Sequence, residues 1–140
     1  MIWKQVPNME ILNEKSKNTL IDHLGIKITE IGTDFIKATM PVDHRTHQPD
    51  GILHGGASVA LAESMGSFAG WMSVNDPTRE SVVGVEINAS HLSSVRSGEI
   101  VATVSPIKVG KRIQVWNILI SQGDKKICIC RLTTMTVTLQ

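Results

Sequence analysis

The chain has 140 residues, of which 41% are apolar and 19% charged, with a formal net charge of +1. That length suits one domain with a substantial core, and the absence of a basic excess or a charge block gives no sign of a nucleic-acid partner or a solvated tail. The opening Met1-Ile2-Trp3-Lys4-Gln5 lacks the charged-then-apolar layout of a secretion signal, so the expected compartment is the cytoplasm.

Residues 7–24 carry Met9, Ile11, Leu12, Leu20, Ile21 and Leu24 among polar neighbours, a pattern for one or two short helical pieces lying over something larger. From Gly25 the pattern changes. Ile26 to Ile31 and Phe35 to Met40 are two short β-type runs, with Gly32-Thr33-Asp34 as hairpin punctuation between them. Pro41 should end the second strand, and residues 42–53 are polar and turn-rich.

A long helix is then expected over about residues 54–75, apolar on nearly every face and therefore buried. Glu63 at its middle and four glycines argue against a membrane span. Asn75 and Pro77 are stop signals. The remainder reads as strand: Ser81 to His91, Ile100 to Val109, Ile113 to Ser121 and Lys126 to Leu139, the last three joined by short glycine-containing turns into an antiparallel meander. The fold class is α+β. A helix with no polar face needs cover on more than one side, so the sheet is expected to curl around it and a second subunit to bury the rest.

Several features carry chemistry. Gly55 and Gly56 open the helix, where unpaired N–H groups and the helix dipole make an oxyanion site, or where two glycines simply turn a tight corner. Glu63 is a carboxylate inside an apolar helix, and Ser67 follows one turn later on the same face. Edge pairing with a lysine is the bland alternative for that glutamate. Gly55 and Glu63 are separated by eight residues, about 12 Å along the axis, so one small carbonyl cannot touch both on one helix. If they serve one reaction, the glutamate comes from a second copy, and the sites lie at a dimer interface.

His54 and Gln48 flank the glycines and are candidates to hold a carbonyl. Asp43, His44, His47 and His54 form a weaker metal candidate without helix-face spacing. The expectation is no metal and no cofactor. Gly56-Ala57-Ser58-Val59-Ala60 is a near miss to a serine-hydrolase elbow, with Ser58 inside the helix. Lys108 and the Gly110-Lys111-Arg112 turn could hold phosphates or be an ordinary solvated hairpin. Cys128 and Cys130, two apart on one strand face, read as core thiols rather than a disulfide.

Taken together, Gln48-Pro49-Asp50-Gly51-Ile52-Leu53-His54-Gly55-Gly56-Ala57-Ser58, with Ala62-Glu63-Ser64 and Gly66-Ser67, resembles the hotdog-fold acyl-coenzyme A thioesterases. The branch is the phenylacetate-type and 4-hydroxybenzoyl-coenzyme A one, with a glutamate on the central helix. Within it the similarity runs toward thioesterases of 1,4-dihydroxy-2-naphthoyl-coenzyme A in menaquinone synthesis and proofreading thioesterases of enterobactin synthesis. It extends through Ala38 to Val42, Val82 to Asn88, Gln114 to Trp116 and Arg131 to Thr133.

The resemblance implies a hotdog fold, with an antiparallel sheet wrapped around the central helix, in a homo-oligomer whose dimers share sites and pair into a tetramer. It implies Glu63 as nucleophile or general base, Gly55 N–H polarising the thioester, Gln48 and His54 holding acyl group or water, Ser67 aligning water and Ser64 lining the pocket. Gly84, His91-Leu92-Ser93-Ser94 and Lys108-Val109-Gly110-Lys111-Arg112 correspond to the coenzyme A-binding strand ends. Asp50 stands where members usually carry an aromatic residue, and Ser93 where an arginine is usual. The expected reaction is hydrolysis of an aromatic or medium-chain acyl-coenzyme A; a hotdog enoyl-thioester dehydratase and a non-catalytic acyl-thioester binder are the alternatives.

Overall fold

The computed structural model describes residues 1–140. Its order is α1 (Met9–Lys15), α2 (Leu20–His23), β1 (Lys27–Ile31), β2 (Ile36–Pro41), α3 (Gly55–Met72), β3 (Glu80–His91), β4 (Glu99–Val109), β5 (Ile113–Gln122) and β6 (Lys125–Thr138). The strands form one six-stranded sheet in the order β1-β2-β4-β5-β6-β3, antiparallel at every pairing. The meander β4-β5-β6 is as expected. β3 crosses over to pair with β6 and lies at the sheet's outer edge.

Strict alternation on β2 and β5 sends Ile36, Ala38 and Met40, and Trp116, Ile118 and Ile120, toward one side. α3 fills that side, packing against β2, β3, β4, β5 and β6. The sheet therefore curves around the helix. Leu61, Ala62, Met65 and Ala69 are fully buried beneath it, and truncating a residue such as Leu61 to alanine would cost about 2–5 kcal/mol.

The helix is not buried all round. Ala57, Ser58, Leu61, Ala62, Met65, Gly66, Ala69, Gly70 and Met72 make its buried stripe, while Val59, Ala60, Glu63, Ser64, Ser67, Phe68 and Trp71 are only half-covered in the single chain. One sheet covers one face, and the stripe carrying Glu63 looks outward, the part of the helix for which a second subunit is expected to supply cover.

The helix also stops at Met72 rather than near residue 75. Ser73 turns its hydroxyl back to the Ala69 carbonyl at 2.8 Å, and the N–H groups of Lys4 and Gln5 take the Met72 carbonyl at 2.8 and 3.1 Å. The chain's own N-terminal segment thus closes the helix before the asparagine and proline signals are reached. That segment is anchored by Trp3, whose indole N–H donates to the Gly32 carbonyl at 2.7 Å and whose ring stacks on Trp116 at 6.2 Å. α1 follows, capped by the Asn8 side chain and held to β1 by Asn13, which donates to and accepts from the Ile28 backbone at 3.1 and 3.0 Å.

Candidate active site

The loop before α3 is built by its own hydrogen bonds. Gln48-Pro49-Asp50-Gly51 closes a turn, with Gly51 N–H on the Gln48 carbonyl at 3.0 Å and Gly51 at φ 76°. The Asp50 N–H donates to Gln48 Oε1, which leaves the Gln48 amide N–H groups directed elsewhere. Leu53 N–H reaches the Val95 carbonyl at 2.7 Å, and the His47 ring nitrogen donates to the Arg96 carbonyl at 2.9 Å. The loop is thereby tied to the segment that follows β3.

At the helix start, His54 is the N-cap: its Nδ1 accepts the Gly56 N–H at 2.7 Å. The neutral tautomer with the proton on Nε2 is therefore the one that caps. With the Gly56 donor satisfied by His54, the Gly55 N–H is left without a partner in the chain. A side chain on Gly55 would collide with His91, since a Cβ there would lie 2.9 Å from the imidazole Nε2. A cavity of about 410 Å³ opens at this corner, lined by Gln48, Leu53, Gly55, Ser58, His91 and the Leu92 to Ser94 segment among others. Ser58, set aside as a failed elbow in the sequence, is buried on its floor.

Glu63 belongs to a different cavity, of about 450 Å³, with Ser64, Ser67, Phe68, Trp71, Ser81 and Val82 on α3 and β3 and Lys15 and Ile21 on the N-terminal helices. Its carboxylate lies under β3 at Gly84: a Cβ at that position would come within 2.5 Å of Oε1. Glycine there makes room for the carboxylate. The strand also shifts register between Gly84 and Glu86, a bulge beside the carboxylate. Glu63 makes no ion pair and no side-chain hydrogen bond, so the bland alternative of a lysine partner does not materialise. None of the residues from Lys15 to Trp71 that wall this cavity, beyond the glutamate and serines, was legible as a site residue, because the wall is assembled from segments far apart in sequence.

The structure separates the expected residues into two groups along β3. Gln48, His54, Gly55 and His91 to Ser94 gather at its C-terminal end; Glu63, Ser64, Ser67 and Gly84 gather toward its start. The Lys108 to Arg112 turn stands with the second group. Thr136 N–H donates to the Arg112 carbonyl at 2.8 Å, and Thr136 pairs with Val82 on β3. Lys111 and Arg112 are solvent-exposed beside Glu80, Thr136 and Thr138, and Lys108 and Val109 are exposed as well. Gln114, fully buried, shapes that turn by donating to the Gly110 carbonyl and to Thr136 Oγ1, both at 3.0 Å, and accepting from Thr134 at 2.8 Å. The proposed phosphate turn and the His91 to Ser94 segment therefore sit at opposite ends of one chain's sheet.

The metal candidate does not assemble. Arg45 grips Asp43 with nitrogens at 3.1 and 2.7 Å and holds its carboxyl well below the usual carboxylate range. His47 and His54 are bound to backbone, and no group of three or more His, Cys, Asp and Glu side chains is placed to share an ion. Cys128 and Cys130 are free, buried and 3.6 Å apart at sulfur, and burial pushes the Cys130 thiol up to about 12. No helix is long and apolar enough to cross a membrane.

Known proteins are similar to this chain in sequence and fold. The sequence profile described as "Thioesterase superfamily" matches residues 50–129. The proofreading thioesterase EntH of Cronobacter turicensis is 47% identical over 96% of this chain and 97% of its own. Among solved structures, a mutant of thioesterase PA1618 from Pseudomonas aeruginosa superposes with a TM-score of 0.96 at 45% identity, covering 99% of this chain and 100% of that one. Thioesterase HI1161 from Haemophilus influenzae does so with a TM-score of 0.94 at 49% identity, covering 99% and 96%. With the profile spanning both the helix and most of the meander, the curved sheet is the hotdog fold; the chain belongs to the thioesterase superfamily and is a thioester hydrolase.

Proposed function

We propose that the protein hydrolyses acyl-coenzyme A thioesters with an aromatic or medium-chain acyl group, in sites completed by two copies of the chain. The observation that carries this reading is the separation of an unpaired N–H at the start of α3 from an unpaired carboxylate two turns on, both facing the same edge strand. Neither half is chemically sufficient alone.

β3 is a twelve-residue edge strand with Val83 and Val85 exposed, an edge that natural sheets usually pair or blunt. Antiparallel pairing of two copies about a two-fold near Asn88 would bring Gly84 of each alongside the His91–Leu92 end of the other. One chain's Gly55 corner would then meet the partner's Glu63 cavity. The same operation would carry a partner's Lys108 to Arg112 turn toward the His91 to Ser94 segment, joining the cationic residues to the other half of the expected coenzyme A site.

In that composite site, the thioester oxygen accepts the Gly55 N–H at the positive end of α3, where charge develops in the transition state. Glu63 attacks the carbonyl carbon, or takes a proton from a water held by Ser67. His54 keeps the donor aimed by fixing the neighbouring Gly56 N–H, and the Gln48 amide is a further donor at the same corner. Ser64 and Phe68 line the acyl side. The kinship to a proofreading thioesterase supports an aryl acyl group and leaves carrier-protein esters as substrates beside coenzyme A esters. The reaction itself calls for no metal or cofactor.

Thiol release from benzoyl-coenzyme A tests the reading. Glu63→Gln should lower turnover about a thousandfold while substrate binding persists. A variant with near-normal turnover would remove Glu63 from the chemistry.

A further inference from the structure

We propose that Lys15 selects the acyl group: its ammonium recognises a hydroxyl or carboxylate oxygen on the edge of an aromatic acyl group remote from the thioester. This rests on the hydrolytic reading above and names its substrate class. The Glu63 cavity is bordered by the exposed last residue of α1, Lys15. The ammonium lies over the indole face of Trp71, 5.2 Å from the ring centroid. Trp71 is eight residues beyond Glu63, so their backbone positions stand about 12 Å apart along the helix. Phe68 lies between them on the same wall.

Lys15 has no acidic partner. Its neighbour Lys17 pairs with Glu14 at 2.7 Å, yet Lys15 is in no ion pair and rests only on an aromatic face. A cation–π contact at an exposed site holds such a group weakly, so a charge-assisted hydrogen bond to a ligand oxygen can draw it away. The cavity thus presents a carboxylate at one end, aromatic rings along its side and one free cation at the other. An unsubstituted aryl or alkyl group would fill the middle and leave the ammonium unused. An aryl group bearing an oxygen at its distal edge would use all three.

The experiment compares kcat/KM for 4-carboxybenzoyl- and 4-hydroxybenzoyl-coenzyme A with that for benzoyl-coenzyme A, read as a ratio so that intrinsic thioester reactivity cancels between variants. Replacement of the cation in Lys15→Met should lower both ratios about tenfold. Lys15→Arg should keep them near the wild-type values, and Lys17→Met, at an exposed position just past α1, should change neither ratio nor rate. Unchanged ratios in Lys15→Met overturn the proposal, as does an equal loss on all three esters, which would make Lys15 merely a prop for Trp71. A wild-type protein that releases thiol from none of these esters overturns the hydrolytic reading itself.

Discussion

The two ends of strand β3 differ in kind. At its C-terminal end the functional groups are backbone donors and turn residues, held by a capping histidine and a loop stitched to the strand's exit. Toward its start they are side chains: a half-buried carboxylate, hydroxyls, aromatic rings and a lysine. In the reaction proposed above, the first end would stabilise developing negative charge and the second would supply a base or nucleophile and a pocket. A helix offers its dipole only at its terminus, whereas a carboxylate needs the cover found at mid-helix beneath a strand. One helix therefore cannot bring the two together, and a two-fold operation can.

Beyond the loss expected in Glu63→Gln, the contrast can be broken at the other end. Gly55→Pro removes the donor and suits the first helical position, since His54 already has φ −69° and ψ 127°, although its Cβ also obliges the His91 imidazole to shift. Turnover should fall about a hundredfold or more with the helix content retained by circular dichroism. Mixing Gly55→Pro with Glu63→Gln after unfolding and co-refolding should restore about a quarter of wild-type activity, because half the random dimers are hybrids with one intact site in two. No recovery would place both groups of a site on one chain.

Gly84→Ala sharpens the comparison at the carboxylate. Its Cβ would occupy the space of Glu63 Oε1, displacing the carboxylate by a fraction of its working distance. A loss of about tenfold or more in kcat, with little change in KM, is expected.

His54→Ala is a smaller effect of a different type. Loss of the cap should cost about 1 kcal/mol of stability, read by urea titration, and His54→Asn should recover most of it. If His54 acted only on substrate, stability would not move.

The smallest effect lies in the core behind the first end, where Cys128 pairs with His91 across β3 and β6. Burial raises the Cys130 thiol from its ordinary 9.0 to about 12. The folded state thus retains the proton that the unfolded chain loses, so this contribution is complete below about pH 9 and declines as pH rises toward 12. The native thiols should stay unreactive to a disulfide reagent at neutral pH; prompt labelling would show that the strand pair opens.

Much of this was written locally. Alternation in β2, β4 and β5 gave strands within a residue or so of their observed limits. Gly55-Gly56 after His54 located the start of α3, and the eight-residue spacing to Glu63 already implied two half-sites. The error came at the other helix end. Asn75 and Pro77 lie past a stop imposed by Lys4 and Gln5, residues about seventy positions away. Apolar Phe68 and Trp71 resemble core residues in a linear reading, yet they wall a cavity.

What the sequence determined by itself was the set of elements, the glutamate's presence on an otherwise apolar helix and the axial distance that divides it from the helix start. Those follow from periodicity and rise per residue, which neighbours fix. Only the tertiary structure decided that Gly84 makes room for Glu63, that His91 covers Gly55, that Lys15 reaches the far wall, and that the 108–112 turn stands away from His91. Each depends on β3 leaving the meander to pair with β6, a long-range register set by which side chains the curved sheet can bury around one helix.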